Sequence, residues 1–111
     1  MTNYSKMSDE EINGAIAQKR GWHFSECIDC GIEYWETPDG GIDYNQSDPP
    51  NYTHNWNLCG ELLEEIPFPF LHQRTVKLDW VCSRYDGYTA VTAPTPLRAI
   101  CEEWLEWMCE Q

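Results

Sequence analysis

The chain has 111 residues, 19 of them acidic and 7 basic, for a net charge of −12; that length suits one domain able to bury roughly two-thirds of its unfolded surface. Such a balance argues against nucleic acid or an anionic membrane as a direct partner, because both are held by neutralising phosphates, and it allows a protein with a basic surface. Six Trp, six Tyr and three Phe supply large apolar areas, which favours a compact fold over disorder.

Lys6, Asp9, Glu10, Glu11, Lys19 and Arg20 interrupt any apolar run of signal-peptide length at the N-terminus. No later run approaches the roughly 18 apolar residues of a membrane span. The expectation is a soluble cytoplasmic protein whose six cysteines are reduced. Residues 1–7 lack periodicity and are expected to be flexible, leaving 8–111 as a single domain. Ser8-Asp9-Glu10-Glu11 is a capping box: the Ser8 hydroxyl can accept from the Glu11 N–H while Glu11 reaches back to Ser8. Ile12, Ala15 and Ile16 give this first helix a narrow apolar stripe, and Gly21, after Lys19-Arg20, is placed to end it in a left-handed conformation. From Trp22 to Pro50 turns dominate. Ile32 to Thr37 and Ile42 to Tyr44, separated by Asp39-Gly40-Gly41, read as a small hairpin, and Ser47-Asp48-Pro49-Pro50 as an extended loop.

A second helix is expected from about Thr53, with Trp56, Cys59, Leu62, Leu63 and Ile66 at helical spacing, Glu61, Glu64 and Glu65 opposite, and Pro67 as its stop. Phe68-Pro69-Phe70 reads as a stiffened loop whose rings plug a helix–sheet seam, an exposed partner contact being the alternative. Val76, Leu78, Trp80 and Cys82 then alternate with polar residues as a half-buried strand, and Asp86-Gly87 supplies a tight turn. A two-residue loop there sets Cys82 opposite Val91 and puts Trp80, Cys82, Val91 and Ala93 on one face. Thr95 and Pro96 suit the N-cap and first position of a last helix. Along it Leu97, Ile100, Cys101, Trp104, Leu105 and Met108 share one side, and Glu102, Glu103, Glu106 and Glu110 the other. Laying that helix across the last hairpin is the simplest burial of both apolar faces. The fold class expected is therefore α+β, a small antiparallel sheet of hairpins packed with three helices in a sandwich-like arrangement.

Ser8 to Trp22, the lead-in Pro50-Asn51-Tyr52-Thr53, and the passage Ala93-Pro94-Thr95-Pro96-Leu97-Arg98-Ala99-Ile100-Cys101 together resemble the phage ABA sandwich domain family, small bacteriophage and prophage proteins with helices on either side of a sheet. The likeness covers Ser8 to Trp22 and Pro50 to Met108, and Phe24 to Gln46 departs from it. It implies a phage origin and a fold, with no reaction and no catalytic residues, and the location expected is the bacterial host cytoplasm.

His23-x3-Cys27-x2-Cys30-Gly31 is the sharpest chemical signal. Such a turn can present two thiolates to a tetrahedral zinc, but a closed site needs four ligands, and only Cys59 or His54 is available to complete His23, Cys27 and Cys30. Two ordinary loop thiols are the more economical reading, and no cofactor is expected. Cys82 and Cys101 fall on core faces, where free cysteine acts as a small hydrophobe. No phosphate loop or nucleophile–base motif is present, so an enzyme is not expected. The functional expectation is a small acidic accessory protein that binds a basic surface of a host protein, such as a nucleic-acid-handling defence or regulatory complex. Glu102, Glu103 and Glu106 would carry the contact with Trp107 as apolar anchor, joined by Glu110 and by Glu61, Glu64 and Glu65. A zinc-stabilised binding module and a small-ligand or enzymatic protein with an aromatic pocket are the alternatives.

Overall fold

The computed structural model describes residues 3–26, 28–29, 31–40, 42–43, 48–67, 69–84 and 90–110, with Ile42 and Asp43 described in their backbone alone. Three helices, α1 (Asp9–Lys19), α2 (Trp56–Glu65) and α3 (Pro96–Cys109), accompany strands β1 (His23–Glu26), β2 (Glu33–Glu36), β3 (Ile42–Asp43), β4 (Phe70–Gln73), β5 (Trp80–Ser83) and β6 (Ala90–Ala93). The class is α+β, with two antiparallel three-stranded sheets of order β1-β2-β3 and β4-β5-β6.

Local chemistry sets the ends of α1. Both bonds of the capping box form, Glu11 N–H to Ser8 Oγ at 3.1 Å and Ser8 N–H to Glu11 Oε1 at 3.3 Å. At the other end Trp22 N–H donates to Ala17 O and Gly21 N–H to Gln18 O, the paired bonds of a Schellman stop. Gly21 sits at φ +97°, where any side chain would be strained.

Helix α3 is the centre of the molecule. It packs on β4, β5 and β6 and also against α1 and α2, so every residue from Leu97 to Leu105 is buried. Ile12, Ile16, Cys59, Leu62, Cys82, Ala93, Ile100, Trp104 and Leu105 form the core around it, with Trp80, Trp107 and Met108 partly buried at its margin. Cys82 pairs with Val91 and Trp80 with Ala93, the register expected of the last hairpin; its turn, Asp86-Gly87, lies outside the described residues.

The structure corrects several expectations. Residues 4–7 are pinned: Tyr4–Lys6 form a 3-10 turn, Tyr4 is buried, and its hydroxyl meets Cys109 Sγ at 2.8 Å. The strand expected from Val76 begins only at Trp80, because Arg74 and Asp79 close a loop across residues 75–78. Arg74 N–H donates to Asp79 O at 2.8 Å and Arg74 Nε to Asp79 Oδ1 at 2.6 Å, leaving Val76 and Leu78 exposed and Leu78 at φ +58°. Phe70 is not a plug. It starts β4, the strand that turns the expected hairpin into three strands, and it is exposed; Phe68 lies outside the described residues. Tyr52–His54 is a separate 3-10 turn, and α2 starts after the Asn55 cap with Trp56 outward rather than in the core. Phe70, His72, Ala90 and Thr92 share the outer face of the β4–β6 sheet by register and are all exposed, so helices cover one side of this sheet and not two.

Candidate functional site

The carboxylates expected to form an outward row on α3 are largely internal. Glu102 and Glu103 are 4 % and 0 % exposed, which removes both from any contact surface. Burying a carboxylate is tolerable only with a counter-charge, and two arginines supply it. Arg98 donates from Nε to Glu102 Oε2 at 2.7 Å, from Nη1 to Asp9 Oδ1 at 2.7 Å, and from Nη2 to the carbonyls of Tyr4 and Met7 at 2.8 and 2.5 Å. Arg84 sits 2.5 Å from Glu103 Oε1 and holds Glu110 through Nη1 at 2.5 Å. Burial pushes the Glu102 carboxyl above its ordinary value, with Arg98 opposing. Burial also raises Asp9, but the bonds from Arg98 and His54 outweigh it and hold that carboxyl low. These are clamps that fasten the N-terminal turn and the end of α3.

Of the other expected contact residues, Glu106 and Trp107 are half-buried, with burial raising the Glu106 carboxyl, and Glu110 is engaged by Arg84, whose bond lowers its pKa. Glu61 and Glu65 pair with Arg20 at 3.5 and 2.8 Å, and Glu65 also accepts from Trp104 Nε1 at 3.2 Å. Glu64 alone projects from α2 without a partner among the described residues. Among the described residues no three metal-ligating side chains gather, and the candidate zinc ligands that are described hold other places. Cys59 is buried against Cys101, with their sulfurs 3.9 Å apart, and donates to Leu97 O; His54 pairs with Asp9; His23 lies on β1 opposite Glu36. Cys27 and Cys30 lie outside the described residues. Burial pushes the Cys82 thiol up to about 12, and the contact of Cys101 with Cys59 together with burial raises Cys101, as buried structural thiols do.

A different site emerges where α1 meets the first sheet. A cleft of about 540 Å³ lies between them, lined by Glu10, Glu11, Gly14, Phe24, Glu33 and Trp35 among others, with no lysine or arginine in its wall. Phe24 and Trp35 are register partners whose rings tilt at 59° with centroids 5.3 Å apart. One step along the same strand face Glu26 stands directly opposite Glu33, a like-charge pair that costs the sheet stability. Gly14 on α1 faces the Trp35 ring, where a Cβ would lie 4.0 Å from it, an ordinary contact. Trp35 is 5 % exposed, and its indole N–H is buried without a hydrogen-bond partner among the described residues. The arrangement suits a group that is cationic at one end and flat or aliphatic along its stem.

Hydrophobic alternation does not mark this site, yet a signal for it is present in the chain. Between Arg20 and Arg74 there is no lysine or arginine, while Glu26, Asp29, Glu33, Glu36, Asp39, Asp43, Asp48, Glu61, Glu64 and Glu65 all fall there. All four arginines are paired internally, Arg20, Arg74, Arg84 and Arg98 each to a carboxylate. The outward charge is therefore more one-sided than the composition, and it is concentrated on the first sheet. No helix among the described residues is long and apolar enough to cross a membrane. No protein-family model, no curated protein and no solved structure matches this chain.

Proposed function

We propose that this is a small, non-catalytic, phage-type accessory protein that binds a basic surface of a host protein through the acidic pole formed by the first sheet and the first turn of α1. The observation that carries the reading is the distribution of unpaired charge. Glu10, Glu26, Glu33 and Glu36 have no ion pair among the described residues, and the stretch Gly21 to Gln73 holds no lysine or arginine to neutralise them. A one-sided field of this kind speeds encounter with a positive partner and discourages others. A groove that normally holds nucleic-acid phosphates is the kind of basic surface it fits, and occupying that groove would inhibit a defence or regulatory complex. Within the contact first expected from sequence, Glu64 on α2 remains as an outer flank, with Glu61 and Glu65 beside it held by Arg20; Glu102 and Glu103 are buried.

Affinity capture from a bacterial lysate at low and high salt tests the reading. A basic protein retained at low salt, released at high salt, and lost when Glu10, Glu26, Glu33 and Glu36 are together replaced by Lys supports it. A partner that survives both the salt and the replacement overturns it.

A further inference from the structure

The cleft between α1 and the first sheet combines features that single out one ligand chemistry. Phe24, Trp35 and Glu33 line it, and Glu26, the register partner of Glu33, stands on the same strand face one step beyond Phe24. A carboxylate directly opposite another destabilises a sheet, and neither Glu26 nor Glu33 is relieved by a cation among the described residues. A guanidinium placed between them would turn that repulsion into two charge-assisted bonds, since its planar fork matches a carboxylate edge. The same plane stacks on aromatic faces, and Phe24, half of whose surface is open, lies beside the acidic pair. The third feature is Trp35, a lining residue whose buried indole N–H has no partner among the described residues. A donor left without a partner is a standing cost that only an acceptor removes, and a cation alone brings none.

We propose that the cleft is a recognition site for an arginine-bearing peptide segment of a partner protein. The guanidinium lies between Glu26 and Glu33 with its plane against Phe24, and a main-chain carbonyl of the segment accepts from Trp35 Nε1 once the ring turns to present it. The inference rests on the reading of the protein as a binder of basic partners, and it adds the residue type and the seat.

A short blocked arginine peptide, its citrulline counterpart and spermidine serve as probes, titrated by calorimetry and by the Trp35 indole N–H resonance, which a Trp35→Phe variant identifies. The arginine peptide is expected to bind and to shift that resonance downfield, the citrulline peptide to do neither, and Phe24→Ala or Glu33→Gln each to weaken binding about tenfold. Both variants change exposed residues, and their unfolding curves show that the fold persists. Equal binding of the citrulline peptide, an equal resonance shift with spermidine, or unchanged affinity in both variants overturns the proposal. If the arginine peptide fails while a basic protein is still captured in a salt-sensitive way, the cleft assignment falls and the proposed function stands; if both fail, both fall.

Discussion

Arg98 shows how one side chain decides what its neighbours are for. Its fork ties Glu102 on its own helix to Asp9 at the start of α1 and to two carbonyls of the N-terminal turn. Truncating it leaves Glu102 charged, buried and alone, which is worse than never having had the pair. Arg98→Ala is expected to lower stability by about 3–5 kcal/mol, read as a shift in the urea midpoint. Glu102 also gives a pH signature. Its folded-state pKa is raised above the ordinary 4.5 by burial, so the folded state takes up the proton first. The stabilisation from that proton is complete below 4.5 and is lost as pH rises through the raised value. Asp9 runs the other way: its lowered pKa contributes stability above the ordinary 3.8 that disappears as pH falls through the folded value. Comparing wild type with Glu102→Gln from neutral pH down to 4.5, the balance should move in favour of wild type as the pH falls. A constant difference across that range shows that Glu102 does not titrate in the folded state.

At the level of elements, α3 is the part on which the others depend. Trp104 is 1 % exposed and lies in the core that joins α3 to its neighbours. Trp104→Ala should therefore cost about 3–5 kcal/mol, and a variant melting like wild type would show that α3 is not the centre. What could be read from the chain follows the range of the forces involved. The capping box at Ser8, the left-handed stop at Gly21 and the register of Cys82 with Val91 are settled within a few residues, by hydrogen bonds or turn geometry, and each was legible. β4 was not: Phe70–Gln73 has no alternation of its own and becomes a strand by pairing with β5. Val76 and Leu78 continue the alternation of Trp80 and Cys82, but the Arg74–Asp79 pair folds them into a loop. The buried Glu102 and Glu103 were missed for a related reason. A helical wheel sends carboxylates to solvent, and only tertiary structure reveals that Arg98 neutralises one and Arg84, from the end of another element, the other. For the same reason the cleft was legible only as a lack of cations, since the opposition of Glu26 and Glu33 requires the pairing of β1 with β2.

Over the whole molecule, charge and stability pull in different directions. The chain extends over 52 × 28 × 27 Å, and its first sheet packs on α1 rather than on the helical core, so that sheet holds its carboxylates with little apolar burial to offset their repulsion. Self-repulsion of this kind is screened by salt, and wild type should become more stable as salt is added. The repulsion has a specific address in the opposed Glu26 and Glu33. Glu33→Lys sets an opposite charge against Glu26 and should stabilise the protein by about 0.2–1 kcal/mol, with a smaller salt response than wild type. Glu64→Lys makes the same change of net charge on α2, where no carboxylate faces it across a strand, and serves as the control. A sheet evolved only for stability would gain nothing by keeping Glu33, whereas one kept for a basic ligand would keep it despite the cost. The decisive outcome is the combination: Glu33→Lys should melt higher than wild type and Glu64→Lys, yet lose the arginine peptide. If Glu33→Lys is no more stable than Glu64→Lys, the two carboxylates are not in conflict, and the argument for a cation between them loses its basis.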